Sequence, residues 1–308
     1  MRVFVAGGTG VIGRRLVPEL VGRGHEITAT TTTPAKLGLL ADLGATGVVM
    51  DGLDAAAVGE AVAAAAPDVV VHQMTALSQT HAGKPSLRSA ERFFSGTNRL
   101  RSEGVDHLLA AAAAAGVPHV VAQGHASMNG QRRGGWVKTE EDPLEELEGT
   151  RAVRHLEEAV LGFGGAVLRY GGFYGPGAND EQVELIRKRM FPIVGAGTGH
   201  FSWIHVDDAA HATVLAIEQK ASGVLNIVDD EPAAVRDWLP YLAKLAGAKP
   251  PRHLPAWLAR LIGGDMMVGM MTEGRGFSNA KAKRELGWVL QHPSWREGFA
   301  TELAGGRG

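Results

Sequence analysis

The run Gly7-Gly8-Thr9-Gly10-Val11-Ile12-Gly13 has the residue types and spacing to hold a phosphate. Gly7 permits a tight turn, Gly10 lets backbone approach an anion without a side chain between, and Gly13 allows close packing of a following helix. The free N–H groups and positive dipole end of that helix then face the bound charge. Glycine-rich turns also occur in unrelated α/β proteins, so the motif needs its context. Arg2 to Ala6 supplies a short apolar strand before it, and Arg14 to Val21 resumes with helical periodicity. Pro18 lies inside that helix and is expected to kink it or remove a hydrogen bond. A strand, a glycine turn and a helix start form the phosphate corner of a dinucleotide fold, with Gly7, Thr9, Gly10, Val11, Ile12 and Gly13 at the pyrophosphate.

The end of the second strand selects among dinucleotides. An NAD-selective site places a carboxylate there for the ribose 2′-hydroxyl. The run Thr30-Thr31-Thr32-Thr33 carries no acid, Lys36 lies just downstream, and the arginine that usually receives a 2′-phosphate is absent from this stretch. Thr31, Thr32 and Lys36 therefore predict a modest preference for NADP, with NAD also accepted.

The elements that must position these residues alternate. Strands are predicted at 24–30, 48–50, 67–72, 117–122, 166–170 and 225–228. Helices are predicted from Pro34, from Asp54 as N-cap through Ala66, from Arg88 to the stop at Gly116, and over Glu145 to Leu161. Most strands are continuous apolar runs, which argues a parallel sheet covered on both faces. The fold class is α/β, a Rossmann-type doubly wound parallel sheet with a smaller, mostly helical C-terminal substrate lobe. Residues 1–172 form the dinucleotide-binding domain, to which 202–230 return, and 173–201 with 231–308 form the lobe. Ligands on such sheets bind beyond the C-terminal strand ends. That rule selects Gly7 to Gly13, Thr30 to Thr33, Asp51, Gly52, His72 to Thr75 (Met74 and Thr75 among them), and Gln123 to Asn129. The glycine-, arginine- and acid-rich stretch Gly124 to Pro143, around Trp136, reads as a loop over the site.

Composition bounds the rest. At 308 residues, 45% hydrophobic and 21% charged, the chain is an ordinary globular protein able to bury a sizeable core. A net charge of −2 gives no reason to expect nucleic acid or an anionic membrane as a partner. The absence of cysteine excludes disulfides, a catalytic thiol and thiolate metal sites, and suits a reducing cytoplasm. No signal peptide is visible, and no apolar run reaches the ~18 residues of a membrane span. The expected partner is a small-molecule substrate; a homodimer is left open, and no metal is expected.

Several segments, in chain order, match one pattern: Gly7 to Gly13 with Arg14, Val69 to His72, Val167 to Gly177, and Ile204-His205-Val206-Asp207-Asp208-Ala209-Ala210. Together they resemble the extended and atypical short-chain dehydrogenases, the NAD-dependent epimerase/dehydratase superfamily. The resemblance covers nearly the whole chain and implies a nicotinamide cofactor, with Asp51 at the adenine. The family's catalytic pair is a tyrosine with a lysine four residues later. None of the three tyrosines here has one: Tyr170 is followed at that spacing by Tyr174, Tyr174 by Ala178, and Tyr241 by Leu245. Aligning on Glu157 puts Gly149 and Val153 at the pair; aligning on Glu158 puts Thr150 and Arg154 there. The family's serine or threonine after the fifth strand is replaced by His125, with Ser127 two residues on. A histidine can move a proton near neutral pH, so His125 is the first candidate for the catalytic group, with a titration near ~6.5 shifted by its surroundings, and Ser127, Tyr174 and Thr150 follow. The equal alternative is a histidine that only hydrogen-bonds the loop. His72 is expected to contact backbone, and His81, His205 and His211 to be structural.

The family's diphosphate-holding arginine before the "IHVDD" segment is replaced by Phe201, Ser202 and Trp203, which cannot pair with a phosphate. Met266, Met267, Met270 and Met271, with Trp257 and Phe277, read either as a flexible apolar wall or as plain core. The resemblance thus implies an oxidoreductase moving hydride to or from a small, largely apolar carbonyl, alcohol or alkene. The alternatives are an epimerase or dehydratase that keeps NAD(P) tightly bound, and a dinucleotide-binding regulator without catalysis.

Overall fold

Val3 and Val5 are buried on one side of the first strand, Phe4 and Ala6 on the other, so this strand has no solvent face. The computed structural model describes residues 1–77, 90–126, 134–146 and 148–305. In it β1 (Arg2–Ala6), β2 (Glu26–Thr31), β3 (Thr46–Val49), β4 (Val69–His72), β5 (Val120–His125), β6 (Ala166–Tyr170) and β7 (Gly223–Ile227) form one parallel sheet of order β7-β6-β5-β4-β1-β2-β3. One core packs α1 (Gly13–Gly22), α8 (Val206–Glu218) and α11 (Ala280–Leu286) on the first face. The other face takes α3 (Ala55–Ala65), α5 (Val105–Ala114) and α6 (Arg151–Gly162). This is the doubly wound sandwich that continuous apolar strands require.

The sequence-level elements are present with shifted ends. Asp54 caps α3 by accepting from the N–H groups of Ala56 and Ala57, and α1 runs through the exposed Pro18 to Gly22 without a break. The helix expected from Pro34 splits into a 3₁₀ turn, Pro34–Lys36, and α2 (Leu37–Asp42). The long helix expected to Gly116 is two, α4 (Ala90–Arg99) and α5, joined by a π-helical turn at Leu100–Gly104; its expected start at Arg88 lies outside the described residues. The helix expected from Glu145 begins only at Arg151, after a 3₁₀ turn that holds Gly149.

A second core lies after β6. Trp203, Trp238, Trp295 and Phe299 meet there with Tyr174 and Met271, among α7 (Asp180–Arg187), α9 (Val235–Leu245), α10 (Ala256–Glu273) and α12 (Trp295–Gly305). Buried carboxylates fasten this part to the first: Asp208 accepts from the N–H groups of Gln291 and His292, and Asp229 from those of Glu231 and Trp295. The stretch expected as a loop over the site contains a short strand, Val137–Lys138, paired with Gly276–Phe277.

Between α6 and the sheet, Arg169 makes a two-pronged bond to Glu157 (2.8 and 2.7 Å), with both side chains about 95% buried (exposures 5% and 4%). Gly124 makes room beside it, since a Cβ there would stand 2.9 Å from Val167. Removing one partner of a buried pair strands the other charge, at about 3–5 kcal/mol. Glu157→Gln should therefore lower the free energy of unfolding, read by denaturant titration, by about that amount; a loss below about 1 kcal/mol would show that the pair contributes little.

Candidate active site

The glycine loop closes because three of its positions cannot carry a side chain. Gly7 has φ +99°, and a Cβ on it would stand 2.6 Å from the Gln73 carbonyl oxygen. A Cβ on Gly8 would meet Ala29 at 2.7 Å, and one on Gly13 would meet the carbonyls of Gly8 and Gly7 at 2.5 and 2.6 Å. Gly13 thus serves the closure of the loop itself, rather than the helix–strand packing expected of it. Gly10 differs: it is exposed, and its nearest obstacle is the Gly7 carbonyl at 3.2 Å. The α1 N-terminus has no side-chain cap and no acid in its first turn. The Arg14 and Arg15 N–H groups donate to the Gly10 and Ile12 carbonyls (3.0 and 2.9 Å), so among the described residues the donors left for an anion are those of Val11, Ile12 and Gly13.

The threonine run holds this loop. Thr30 Oγ1 accepts from the Gly7 N–H (3.1 Å), Thr30 carbonyl oxygen from the Gly8 N–H (3.0 Å), and Thr31 Oγ1 from Thr9 (3.3 Å) and the Thr33 N–H (3.2 Å). Thr31 is buried and its hydroxyl is already engaged, whereas Thr32 and Lys36 are exposed. Arg14 Nε donates to the Thr9 carbonyl (3.0 Å), which brings a cation to the β2 end from the helix, not from the strand searched in the sequence. Asp51 is exposed and accepts from the Leu53 N–H. Gly52 is buried against Met74, where a Cβ would stand 2.4 Å from the thioether sulfur. Thr75 is exposed and Gln123 partly buried. Sequence reading passed over Thr97, a fully buried hydroxyl that accepts from the Ala76 N–H and pins the chain after β4.

The candidate proton donors do not converge. His125 ends β5 in register with Tyr170 of β6. Burial, with the charge of Arg101 adding to it, pushes its imidazole down to about 4. The surroundings thus shift it downward from 6.5, and the ring is neutral through the physiological range. Tyr174 is core, 0% exposed, its ring against Phe299 and His205 and its hydroxyl buried without a partner among the described residues. Burial first, then Asp229, Asp208 and Glu302, raise this phenol far above its ordinary value. Thr150 is buried and donates to the Glu145 carbonyl. Ser127 and His81 lie outside the described residues.

Tyr170 closes a buried chain. Thr213 donates to the Ala209 carbonyl (2.7 Å), so the Tyr170 hydroxyl donates to Thr213 (2.6 Å) and accepts from Gln73 Nε2 (3.1 Å). Burial pushes this phenol up to about 12. Tyr241, the third tyrosine, donates to the Arg296 carbonyl.

His72 at the β4 end donates Nε2–H to the Leu100 carbonyl (3.2 Å), the backbone contact expected of it, and burial holds it at about 4. His211 binds Glu19 (2.7 Å). His205 caps α8 and stacks on His292 (centroids 3.8 Å apart, planes 29°). With Asp207 their ligand atoms lie within 4.8 Å of one another, but Asp207 is paired with Arg15 and His205 Nδ1 accepts the Asp207 N–H. Of the apolar wall, Met271 and Phe277 are buried in separate core clusters and Met267 packs against the larger one, while Trp257 is 64% exposed; these side chains serve packing or the surface.

Two glycines separate the roles of the loop. Gly13→Ala forces backbone apart and should lower both the unfolding midpoint and dinucleotide affinity. Gly10→Ala should keep the midpoint and lose affinity, because its methyl enters the space where phosphate must meet backbone. Parallel unfolding and calorimetric titrations check this; parental affinity in Gly10→Ala would remove the loop from the binding site.

Residues 3–228 match the model of the NAD dependent epimerase/dehydratase family. The chain is 42% identical, over 98% of its length and all of the relative's, to a Streptomyces protein named 3-diazoavenalumate denitrifying reductase. It is 26% identical, over 94% of its length and 92% of the relative's, to a 4-hydroxy-2-methyl-3-oxo-4-farnesyl-3,4-dihydroquinoline-1-oxide ketoreductase of Stigmatella aurantiaca. Its fold superposes on UDP-glucose 4-epimerase of Thermotoga maritima with a TM-score of 0.78 at 21% identity, covering 100% of this chain and 99% of that one. The chain belongs to the NAD dependent epimerase/dehydratase family.

Proposed function

We propose that the chain is an NAD(P)H-dependent reductase acting on a diazo compound. The observation that carries this reading is the state of its three tyrosines: Tyr170 and Tyr241 donate to Thr213 and the Arg296 carbonyl, and Tyr174 is sealed in core. No phenol is free to act as an acid, and no lysine stands at the spacing that would lower a phenol's pKa. Reducing a carbonyl leaves an alkoxide that a placed acid must protonate. Exchanging an aryl diazonium group for hydride yields the arene and N₂, and requires no proton. The name of the Streptomyces relative supports this substrate class.

The uncapped α1 N-terminus and the side-chain-free face at Gly10 fit a pyrophosphate. A bound reduced nicotinamide supplies the hydride. Gly7, Thr9, Gly10, Val11, Ile12 and Gly13 would hold the phosphates; Asp51 and Thr75, just past β3 and β4, and Gln123 in β5 would line the rest of the cofactor, with Gly52 packed on Met74. Thr32, Lys36 and Arg14 offer a hydroxyl and two cations to a ribose 2′-phosphate. NADPH should therefore bind more tightly than NADH, and Arg14→Ala should narrow the gap, as read by direct titration of both cofactors; equal affinities in the parent would count against the preference.

With an ortho-diazophenol acid as substrate, one N₂ should appear per NADPH consumed. Because His125 changes charge near 4, the rate should be flat between about pH 6 and 8. A step near pH 6.5 that vanishes in His125→Ala, with a roughly 10²- to 10⁴-fold loss of rate on ketones, would return the enzyme to carbonyl reduction. A cofactor that stays bound and is restored each turnover would indicate an epimerase, and cofactor binding without turnover would indicate a regulator.

A further inference from the structure

Arg101 carries a charge that no described residue neutralises. It lies in the π-helical turn Leu100–Gly104, which packs between α4 and α6. Such turns displace one residue from the helical register and are frequent at functional sites. On the outer side of the turn, Arg99 and Glu103 satisfy each other at 2.9 and 2.7 Å. Arg101 turns inward: it is 3% exposed, and its Nη1 is buried with no hydrogen-bond partner among the described residues. Burial lowers its pKa only to about 10, so the guanidinium stays charged at neutral pH.

The contrast with Arg169 is informative. That equally buried arginine has a two-pronged carboxylate partner in Glu157, as a buried guanidinium requires. Arg101 has the same need and its field acts on two rings, His72 at the β4 end and His125 at the β5 end. Both are neutral in the physiological range and neither can supply the missing negative charge. The free donor therefore sits at the C-terminal ends of the central strands, where ligands bind in a doubly wound sheet.

We infer that Arg101 is the anchor for a carboxylate of the substrate, a subsite formed by the π turn and the ends of β4 and β5. The planar fork of donors suits a carboxylate, and a second attachment remote from the reacting atoms fixes the orientation of a small molecule. This rests on the reductase reading for the molecule that carries the carboxylate. The turn itself prepares the place: His72 takes up the Leu100 carbonyl, and Arg101, one residue on in a turn packed on α6, lies close enough to His72 and His125 for its charge to act on both.

The probes are benzoate and benzamide, alike in shape and different in charge, titrated calorimetrically into the full chain with and without NADP⁺. The parent should bind benzoate at least tenfold more tightly than benzamide. Arg101→Gln should lose roughly 10- to 100-fold in benzoate affinity with benzamide unchanged, the usual worth of a hydrogen bond to a charged group. Arg101→Lys keeps the charge without the fork, so it should retain a reduced preference for benzoate and carries the test should the glutamine variant not fold. Equal affinities in the parent, no binding of either at millimolar concentration, or parental benzoate affinity in Arg101→Gln would overturn the inference. Inorganic phosphate competing as well as benzoate would overturn the carboxylate assignment. NADP⁺ titrated alone, and N₂ release, report separately on the reductase reading, so either can fail while the other stands.

Discussion

The structure depends on a contact between two backbones. The turn after β1 passes so close to the chain leaving β4 that a single Cβ on Gly7 would fall 2.6 Å from the Gln73 carbonyl. The same turn folds back on itself at Gly13 and against β2 at Gly8. Three side chains are absent so that three segments can converge, and the threonines of β2 supply the hydrogen bonds that hold them there. This closure leaves the α1 N-terminus uncapped, and an uncapped N-terminus is what binds an anion. Gly10 is the least constrained of the four, exposed and with only the Gly7 carbonyl near its missing Cβ at 3.2 Å, which separates a residue kept bare mainly for a ligand from residues kept bare for the fold.

From that corner the polar groups continue along the strand ends. Gln73, whose carbonyl faces Gly7, donates its side-chain amide to Tyr170, which donates to Thr213 and so ties β4 and β6 to α8. A tyrosine with both lone pair and proton committed holds elements together and is unavailable as an acid. On the opposite face the Glu157–Arg169 pair ties α6 to β6. Both networks lie where the sheet would open a site, and both spend their ionisable groups on structure. Among the described residues, the β4 and β5 ends also carry two neutral imidazoles, His72 and His125, and the buried guanidinium of Arg101.

Much of the fold was legible because its signals are local. The apolar strands, the Asp54 cap and the glycine turn each depend on a few neighbouring residues, and Val69 to His72 or Ala166 to Tyr170 fall within a residue or two of expectation. The π turn was not legible: Leu100 to Gly104 has ordinary helical composition, and its extra residue is set by packing on α6 and by the bond from His72. The site was legible only where it is backbone. Tyr174 and His125 stand out by residue type, but their behaviour is decided by burial and charge from residues distant in sequence, such as the Phe299 ring against Tyr174 and the Arg101 charge acting on His125. The charge beside β2 was sought downstream of the strand, yet Arg14 reaches it from the helix, a geometry that spacing along the chain does not reveal.

Among the described residues no phenol is placed to act as an acid, which changes which electrophiles suit the site. A phenol–lysine pair lets a fold reduce carbonyls because it delivers a proton as negative charge builds on oxygen. Here the corresponding positions in one alignment are Gly149 and Val153, and the phenols that exist are locked or buried. A neutral His125 at the β5 end can accept a hydrogen bond or donate one, but it is not an imidazolium above about pH 6. A positive Arg101 nearby makes protonation of either histidine harder still. The local electrostatics thus disfavour proton delivery and favour negative charge already present on a ligand. The proposed substrate, with a fixed anionic end and a leaving group that departs as a neutral gas, fits both conditions.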